Sequence, residues 1–498
     1  MFLKRVGTLV VITALVSGCC RGKSFNHCAV RDTHAKSEQC LFNQDLVPAP
    51  ISLTLEDCIE IALNRNLELQ VKAWEASVQR EIAFRETWRI LPTLEAEYNN
   101  KGRNTSPGVS SKSLIPTIPP APPSVSSEKN TQTTRYLFTW NLLDFGISYH
   151  LAQQEKNRTL ILSREYERLR QNLVLSVVEE FWKAAATKEV AEKFKDLDER
   201  SEEQRNVLNR LIDQRILPEI ASLDSQDEML DVILDLKEFQ RLHFLSMQKL
   251  TELLGLSPNQ QIVLVVPELS KNLPEIGNMA YLEERALRSR PELFAKDLEE
   301  VISYHDVRIA ILNMFPGVSF FSGYDRNSNV YLVKRSWLSA GFNIAKDLLS
   351  LPAYNQERIR AMHAKYGRFA DRIRTSLGVV TQLHLAAIDY QEHADILRTF
   401  AEKSEVRNRM VEAARKSKVF GQFHDFEVTQ YELEALYADA LYRISYGETM
   451  TSLEKINNAV GIPLLIKPQS SLPKERDILE YEFNYDYLPA PTNFGENA

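Results

Sequence analysis

Two copies of one long segment occur in this chain, and this internal repeat limits its fold more than any other sequence feature. The segment 62–69 (ALNRNLEL) recurs 224 residues later as 286–293 (ALRSRPEL). Further along, Asn141 and Asn343 match at a spacing of 202 residues. A chain built twice from one long unit is interpreted first as a repeat. We expect the following units: repeat 1 over 51–262, repeat 2 over 263–465 and an extended tail over 466–498.

Each copy is predicted to contain one long helical hairpin. Only 17 of the 498 residues are glycine, and neither glycine nor proline occurs from Ile147 to Leu217. At 1.5 Å per residue, that stretch corresponds to roughly 100 Å of helix. A turn near Pro218 precedes the returning helix of the first copy, and a turn near Gly421 precedes that of the second.

Four short stretches alternate polar and apolar residues, which predicts strands with one wet and one apolar face. In the first stretch, Glu95 and Glu97 alternate with Leu94 and Tyr98. The predicted strands cover about 93–100, 134–143, 317–325 and 337–345. Each is long enough to cross a membrane when tilted. Four strands cannot close a barrel, so they either cover a soluble helical body or combine with the strands of other copies.

A proline marks the change from helix to strand in both copies. Pro92 and Pro316 occupy the same place in the repeat, and proline stops a helix and favours extended geometry before it. The second copy is 22 residues shorter between the two sets of matching residues. The difference falls mainly in the Ser- and Pro-rich stretch 101–133, which is predicted to be an exposed loop.

The N-terminus has the pattern of a secretory signal. Lys4 and Arg5 precede an apolar run that is too short to cross a bilayer, and Val16-Ser17-Gly18-Cys19 follows it. The last four residues resemble the lipobox of bacterial lipoproteins. We expect residues 1–18 to be removed and Cys19 to be lipidated, although an ordinary signal peptide that is cleaved near a cysteine has the same pattern.

Residues 19–50 are polar, end in Pro48-Ala49-Pro50 and are predicted to be a linker. Cys28 and Cys40 would lie in an oxidising compartment, where they could form a disulfide. A metal cluster of these cysteines with nearby histidines is the alternative, but the spacing matches no zinc pattern.

Composition argues against several classes of function. The net charge is −7, and Lys and Arg are interleaved with Asp and Glu, so no nucleic acid partner is expected. The chain has no glycine-rich phosphate loop, and its nine histidines lack the spacing of a metal site or a catalytic triad. We therefore expect no enzymatic activity, no metal and no cofactor.

The joint order of several motifs resembles the TolC-type outer membrane efflux proteins, in particular their lipid-anchored OprM-like branch. These motifs are LTLED at 53–57, NLEL at 66–69, WNLLDFG at 140–146 and LLGL at 253–256. The resemblance covers about 51–465 and implies a mainly α fold with a small β part. It also implies a homotrimer, in which twelve strands close a barrel through the outer membrane and the long helices form a tunnel across the periplasm.

The resemblance assigns a role to each face of the strands. The residues expected to line the pore are Thr93, Glu95, Glu97, Thr139, Asn141 and Asp325. Those expected to meet lipid are Leu94, Tyr98, Phe138, Trp140 and Phe320. The alternative is that these are the surface and core faces of a small soluble sheet.

The turns near 215–224 and 420–430 would be the periplasmic tips, where members of the family close the tunnel and bind an adaptor. Family members carry acidic residues six and nine positions after a tip glycine, which makes Glu427 and Gln430 the gate candidates, although Gln430 is not acidic. A solvated helical charge is the alternative for Glu427. The candidates for adaptor docking are Arg215, which replaces the usual glycine, Pro218, Glu219 and Gly421.

The expected function is a passive exit duct of a tripartite efflux system in the outer membrane of a Gram-negative-type bacterium. Its partners would be a periplasmic membrane-fusion adaptor, an inner-membrane pump of RND or ABC type and outer membrane lipid. Two alternatives stay open. One is an exit channel for type I protein secretion, and the other is a periplasmic lipoprotein scaffold that conducts nothing.

Overall fold

The computed structural model describes two long helical hairpins and a four-stranded sheet. The described residues are 27–44, 49–111, 114–115, 119, 121–270, 272–419 and 425–461. The predicted signal peptide 1–18, Cys19, Gly421 and the tail 466–498 lie outside these ranges. Within them, no helix combines the length and the apolar character that a membrane span requires.

The elements follow the repeat seen in the sequence. Up to the end of the first copy they are α1 (His27–Gln44), β1 (Ile51–Leu53), α2 (Leu55–Arg65), α3 (Leu67–Trp88), β2 (Thr93–Gly102), β3 (Gly108–Val109), β4 (Ser124–Val125), β5 (Asn130–Asn141), α4 (Leu142–Asp213), α5 (Glu219–Leu253) and β6 (Ile262–Leu264). The second copy contains α6 (Met279–Ser289), α7 (Pro291–Leu312), β7 (Gly317–Asn327), β8 (Ser336–Ala345), α8 (Leu351–Val419) and α9 (Asp425–Val460). The predicted fold class, mainly α with a small β part and an internal repeat, is confirmed.

Side chains that cap helices set the boundaries in the first copy. Thr54 and Asp57 form a capping box, in which the Asp57 amide donates to Thr54 Oγ1 at 3.2 Å and the Thr54 amide donates to Asp57 Oδ2 at 3.0 Å. Asn141 ends β5 and caps α4, because its Oδ1 accepts from the Leu143 amide at 3.0 Å. Strand β5 therefore ends at residue 141, whereas the sequence predicted that this strand would end at residue 143.

Corresponding helices of the two hairpins are nearly equal in length. Helices α4 and α8 contain 72 and 69 residues, and α5 and α9 contain 35 and 36. At 1.5 Å per residue, each long arm spans roughly 100–110 Å. Near the sheet the helices lie side by side in the order α3, α4, α7, α8, and toward the tips the order is α5, α4, α9, α8. The protein is thus a panel four elements wide along its whole length.

The four long strands form one antiparallel sheet in the order β2–β5–β7–β8. The register pairs Thr93 with Thr139 and Arg135 with Asp325. In the predicted loop 101–133, the short strands β3 and β4 pair with each other as a separate hairpin. Strand β1 pairs in parallel with β6, which joins the start of the first copy to its end.

Each copy packs its short helix against its own hairpin. In the first, the fully buried Cys58 of α2 belongs to a cluster with Phe181 of α4 and Leu250 of α5. This burial raises the pKa of the Cys58 thiol to about 12. In the second, Ala286 of α6 packs with residues of α8 and α9 such as Leu383. These clusters occupy the middle of the panel, between the sheet and the tips.

Helix α1 lies within the stretch 19–50 that is predicted to be a linker. Residues 27–44 contain neither glycine nor proline and form an exposed helix, which an ion pair between Arg31 and Glu38 supports. Cys28 and Cys40 are free cysteines of this helix, and twelve residues of helical rise separate them by roughly 18 Å. A disulfide needs Cα atoms within about 7 Å, so the suggested Cys28–Cys40 disulfide is wrong within this helix.

Candidate functional site

The register places all six residues expected to line a pore on one face of the sheet. Directly opposed residues of antiparallel strands point to the same side. Thr93 opposes Thr139, and Glu97 opposes Arg135, which in turn opposes Asp325. Glu95 and Asn141 lie on the same face, because each is two residues away from one of these residues in its own strand and side chains alternate with a period of two. This surface is called the polar face below.

The residues expected to meet lipid lie together on the opposite face. Leu94 opposes Phe138, and Trp140 opposes Phe320. Strand β8 contributes Leu338, Phe342 and Ile344 to the same side, and all three are exposed. Soluble monomers rarely expose large continuous apolar surfaces, so this face requires a cover or an apolar environment.

Acidic residues outnumber basic ones on the polar face. Glu95, Glu97 and Asp325 face the same side as Arg135 and, at the far end of β2, Lys101. Arg135 Nε donates to Asp325 Oδ1 at 2.8 Å, whereas both glutamates are exposed. The net charge of the polar face is negative, and this charge attracts cations to the surface.

The sheet has two open edges. Strand β2 pairs only with β5, and strand β8 pairs only with β7, in the part of the chain that the structure describes. An edge strand presents unpaired N–H and C=O groups that can bind another strand. Strands β2 and β8 have equal lengths of ten residues, so the two edges match each other in extent.

The helices beneath each open strand have exposed apolar stripes. On the side of β2, helix α3 exposes residues at steps of four and three, and these are Leu67, Val71, Trp74 and Val78. On the side of β8, helix α8 exposes Phe369, Ile373, Leu377, Leu385 and Ile388. Such spacing is typical of helices that pack against a partner helix. The part of the panel near the sheet therefore has two apolar sides, called the α3 side and the α8 side below.

The structure places the tip candidates Arg215, Pro218 and Glu219 at one end of the panel. Arg215 has a φ of 61°, the left-handed conformation for which glycine is usual, and its amide donates to the Ile212 carbonyl at 2.8 Å. Pro218 precedes α5 and Glu219 is its first residue. Ile216 and Ile220 are exposed beside them. The first tip is thus a turn with an apolar surface.

The gate candidates lie in the first turns of α9, next to the gap that contains Gly421. Glu427 is at the third position of this helix. Gln430 Nε2 donates to Glu434 Oε1 at 3.4 Å and to Glu228 Oε2 of α5 at 3.5 Å. Gln430 thereby connects the returning helices of the two copies, which an acidic residue at this position could not do as a donor.

Sequence reasoning missed a buried cluster where the two copies meet. Arg290 is 1% exposed, and its guanidinium donates to the Asn458 carbonyl at 2.9 Å and to Glu292 Oε1 at 2.6 Å. Arg168 of the first copy also contacts Glu292 at 3.1 Å. Burial, together with the charge of Arg290, lowers the pKa of Arg168 to about 10. No sequence signal marks this cluster, because Arg168 and Asn458 are far from Arg290 along the chain.

A second contact between the copies joins two histidines. His150 Nδ1 of α4 lies 2.9 Å from His305 Nδ1 of α7. Burial lowers the pKa of both imidazoles, and that of His305 falls to about 4 because the neighbouring His150 and Arg308 add to the effect of burial. Among the described residues, no group of three or more His, Cys, Asp or Glu side chains could hold a metal ion.

The architecture matches that of solved channel structures. The outer-membrane channel OprN is similar with 17% sequence identity and a TM-score of 0.62, over 82% of this chain and 89% of that one. The CmeC outer membrane channel of Campylobacter jejuni is similar with 14% identity and a TM-score of 0.64, over 82% and 85% of the two chains. The chain has the fold of these channels.

A third similar structure is the open state of the MtrE outer membrane channel of Neisseria gonorrhoeae. It has 13% identity and a TM-score of 0.60, over 82% of this chain and 89% of that one. No protein-family profile matches the chain, and no curated protein matches its sequence. The likeness is therefore one of fold, carried by the backbone rather than by sequence identity.

Proposed function

We propose that the protein is a passive outer membrane exit duct of a tripartite efflux system and belongs to the TolC-type family. The observation that carries this proposal is the panel itself, with two matching open sides, one polar face and one apolar face. A molecule with this surface is incomplete as a monomer. Its likeness in fold to the three channels supports the same conclusion.

Three copies would complete the structure by joining the α3 side of one copy to the α8 side of the next. Contacts between two different surfaces produce a ring when the rotation closes. Pairing β8 of each copy with β2 of its neighbour would give a barrel of twelve strands without edges, an even number typical of outer membrane barrels. The helical stripes would be covered at the same time.

In such a ring, the polar face would surround water and the apolar face would meet lipid. Strand β2 has ten residues, which is the length that a tilted strand needs to cross a bilayer. Glu95, Glu97 and Asp325 would then lie in the lumen. The helical hairpins would continue this lumen as a tunnel that ends at the tips.

The remaining assignments complete the proposed system. Cys19 would carry the lipid anchor after removal of 1–18, in keeping with the OprM-like branch. The tip residues Arg215, Pro218, Glu219 and Gly421 would meet a membrane-fusion adaptor, and Glu427 and Gln430 would narrow the tunnel. An inner-membrane pump of RND or ABC type would supply the energy, since the duct conducts passively.

Conductance measurements on neighbouring cysteine variants test the assignment of the two faces. Glu95→Cys and Leu94→Cys place thiols on opposite faces of β2. In planar bilayers, a charged methanethiosulfonate reagent should change the conductance of Glu95→Cys channels and leave Leu94→Cys channels unchanged. Wild-type protein controls for reaction at Cys28 and Cys40. Absence of channels would favour the non-conducting scaffold, and an effect confined to Leu94→Cys would reverse the faces.

Oligomeric state tests the proposed ring. Trp74→Glu introduces a charge into the exposed stripe of α3 and should reduce the fraction of trimer in native mass spectrometry. Arg80→Glu changes an exposed residue about 120° away around the same helix and should leave the trimer intact. A wild-type protein that is monomeric in detergent and in membranes would overturn the ring.

Lipid attachment can be measured directly. Mass spectrometry of the purified wild-type protein should show acyl chains on Cys19, and Cys19→Ser should lack them. The variant should still form channels, because the proposed lumen lies in other parts of the chain. A wild-type N-terminus without lipid would exclude the OprM-like branch while leaving the duct intact.

A further inference from the structure

Two aromatic side chains, Phe321 of β7 and Trp337 of β8, lie on the polar face of the described sheet. Phe321 of β7 lies between Thr139 of β5 and Gly341 of β8 in the same row of the sheet. Its sequence neighbour Phe320 points to the apolar face, where its ring is 6.5 Å from that of Phe342. The strand therefore places two consecutive phenylalanines on opposite sides.

The ring of Phe321 reaches across the sheet to Gly341. A Cβ atom added to Gly341 would lie 2.6 Å from Phe321 Cζ and 3.0 Å from Cε1, which is closer than real side chains approach. The ring thus occupies the space where a side chain at 341 would begin. Phe321 nevertheless remains 37% exposed.

This arrangement has a structural benefit that needs no ligand. An aromatic residue opposite a glycine covers the backbone that the glycine leaves bare and helps to pin strand register. It also leaves an aromatic surface open to the polar side. An aromatic face attracts a cation that comes within about 6 Å of the ring centre.

The surroundings favour a positively charged ligand. On the polar face, Glu95 lies one row from Phe321, and Glu97 and Asp325 lie two rows away together with one basic residue, Arg135. Thr139 beside the ring adds a hydroxyl group and no charge. A ligand that is both aromatic and cationic would combine stacking on Phe321 with the negative potential of this face.

We propose that Phe321, held over Gly341, is a stacking site for aromatic cations in the wall of the duct. The site rests on the proposed function, because only a closed ring turns the polar face into a lumen. A trimer would contain three such rings at one level of the barrel. Aromatic cations would pause there during passage, while small non-aromatic cations would pass without contact.

Channel block by two related probes tests the site. Benzyltrimethylammonium and tetramethylammonium carry the same charged group, but only the first has an aromatic ring. In planar bilayers, wild-type channels should be blocked by benzyltrimethylammonium at a concentration about threefold lower than by tetramethylammonium, as an aromatic stacking contact of the benzyl ring with Phe321 predicts. Phe321→Leu should remove this preference, since it keeps an apolar side chain over Gly341 but has no aromatic face.

Matched variants separate stacking from a structural role. Phe320→Leu makes the same change one residue away on the other face and should keep the preference. Phe321→Tyr retains a ring and should keep it as well. The proposal is overturned if Phe321→Leu channels still discriminate between the probes, or if Phe320→Leu channels lose discrimination.

Failure of the site and failure of the duct give different results. Channels that conduct but show no dependence on residue 321 would remove the stacking site and leave the exit duct standing. A wild-type protein that forms no channels would remove the duct and the site together. Unchanged open-channel conductance in Phe321→Leu, with loss of probe discrimination, would support both.

Discussion

The two repeats build the same joint with different chemistry. In each, a short helix is followed by a second helix, and the residue between them contacts the end of the returning helix. In repeat 1 this residue is Asn66, whose Nδ2 donates to the Leu253 carbonyl at 3.3 Å. In repeat 2 the matching residue is Arg290, which donates to the carbonyls of Asn458 at 2.9 Å and Ala459 at 3.2 Å.

The difference shows how a duplicated joint came to connect the copies. Asn66 is neutral and contacts two helices. Its Nδ2 contacts the end of α5, and its Oδ1 accepts from the Leu69 amide at 3.1 Å and caps α3. The arginine side chain has no acceptor and cannot cap the N-terminus of α7, but its buried charge requires a carboxylate. Glu292 provides it and also contacts Arg168 of repeat 1. The second joint therefore ties the two copies together.

Replacement of Arg290 should have the largest effect. Arg290→Met removes the donors to two buried carbonyls and one of the two cations next to Glu292, so the free energy of unfolding should fall by about 3 kcal/mol. Urea unfolding followed by circular dichroism measures it. Arg288→Met is the control, since Arg288 is exposed and pairs with Glu284 of its own helix at 2.6 Å. Equal effects of the two variants would contradict the role assigned to Arg290.

Replacement of the glycines that end the returning helices should cause the next largest loss in the free energy of unfolding. Gly255 and Gly461 have φ values of 63° and 77°, which disfavour any side chain. A Cβ atom at Gly255 would lie 2.8 Å from the Arg65 carbonyl oxygen, whereas at Gly461 its nearest neighbour is Ser289 Oγ at 3.1 Å. We expect Gly255→Ala to cost about 2 kcal/mol and Gly461→Ala about 1 kcal/mol. The reverse order in thermal unfolding would show that the second joint is the tighter one.

Replacement of Asn66 should lower the free energy of unfolding less than replacement of its counterpart Arg290. Asn66→Ala removes a helix cap and one hydrogen bond, for which we expect a loss of about 1 kcal/mol in the free energy of unfolding. Asn66→Asp keeps the cap and loses only the donor to Leu253, so it should cost less than Asn66→Ala in the same urea experiment. A loss in Asn66→Ala as large as that in Arg290→Met would break the comparison of the two joints.

The histidine pair should give the smallest effect, on the pH dependence of stability. The folded protein lowers the pKa of His305 to about 4, whereas an unfolded histidine has a pKa near 6.5. The stabilisation is present above pH 6.5 and is lost as the pH falls toward 4, because protons then bind the unfolded chain preferentially. Solvent screening of these half-buried rings limits the loss to about 1 kcal/mol or less by pH 5.

The variant His305→Gln isolates this contribution. The groups that face the pair are Arg308 and Asp306 of the same helix and His150 of α4. Chemical unfolding between pH 7 and pH 5 should show a weaker pH dependence in His305→Gln than in the wild type. Parallel pH profiles would mean that the contact between α4 and α7 does not titrate in this range.

Local patterns were sufficient to predict most elements but not the contacts between them. The alternation around Glu95 and the long stretch after Ile147 that lacks glycine and proline predicted strand and helix, because both signals lie in neighbouring residues. The prolines at 48 and 50 favour a linker over the whole polar stretch and do not predict helix α1. They mark only the end of the stretch, since 27–44 contains none.

For the candidate site as well, local patterns predict some features, and contacts between distant segments determine the others. Which residues of a strand share a face follows from its two-residue period, so Thr93, Glu95 and Glu97 could be grouped from the sequence. That Phe321 lies over Gly341 depends on the register of β7 against β8, and no local pattern contains it. The Arg290 cluster brings Arg168 and Asn458, each more than 100 positions away along the chain, to Arg290 and Glu292.

The sequence by itself determined the repeat, the type of each long element and the two faces of the strands, because periodicity and helix-stopping prolines act over a few residues. Only the tertiary structure decided how the copies meet. The contacts of Asn66 and Arg290, the His150–His305 pair and the open sides of the panel depend on the packing of distant segments. Their energies arise from burial and from partners that the chain brings together only when it folds.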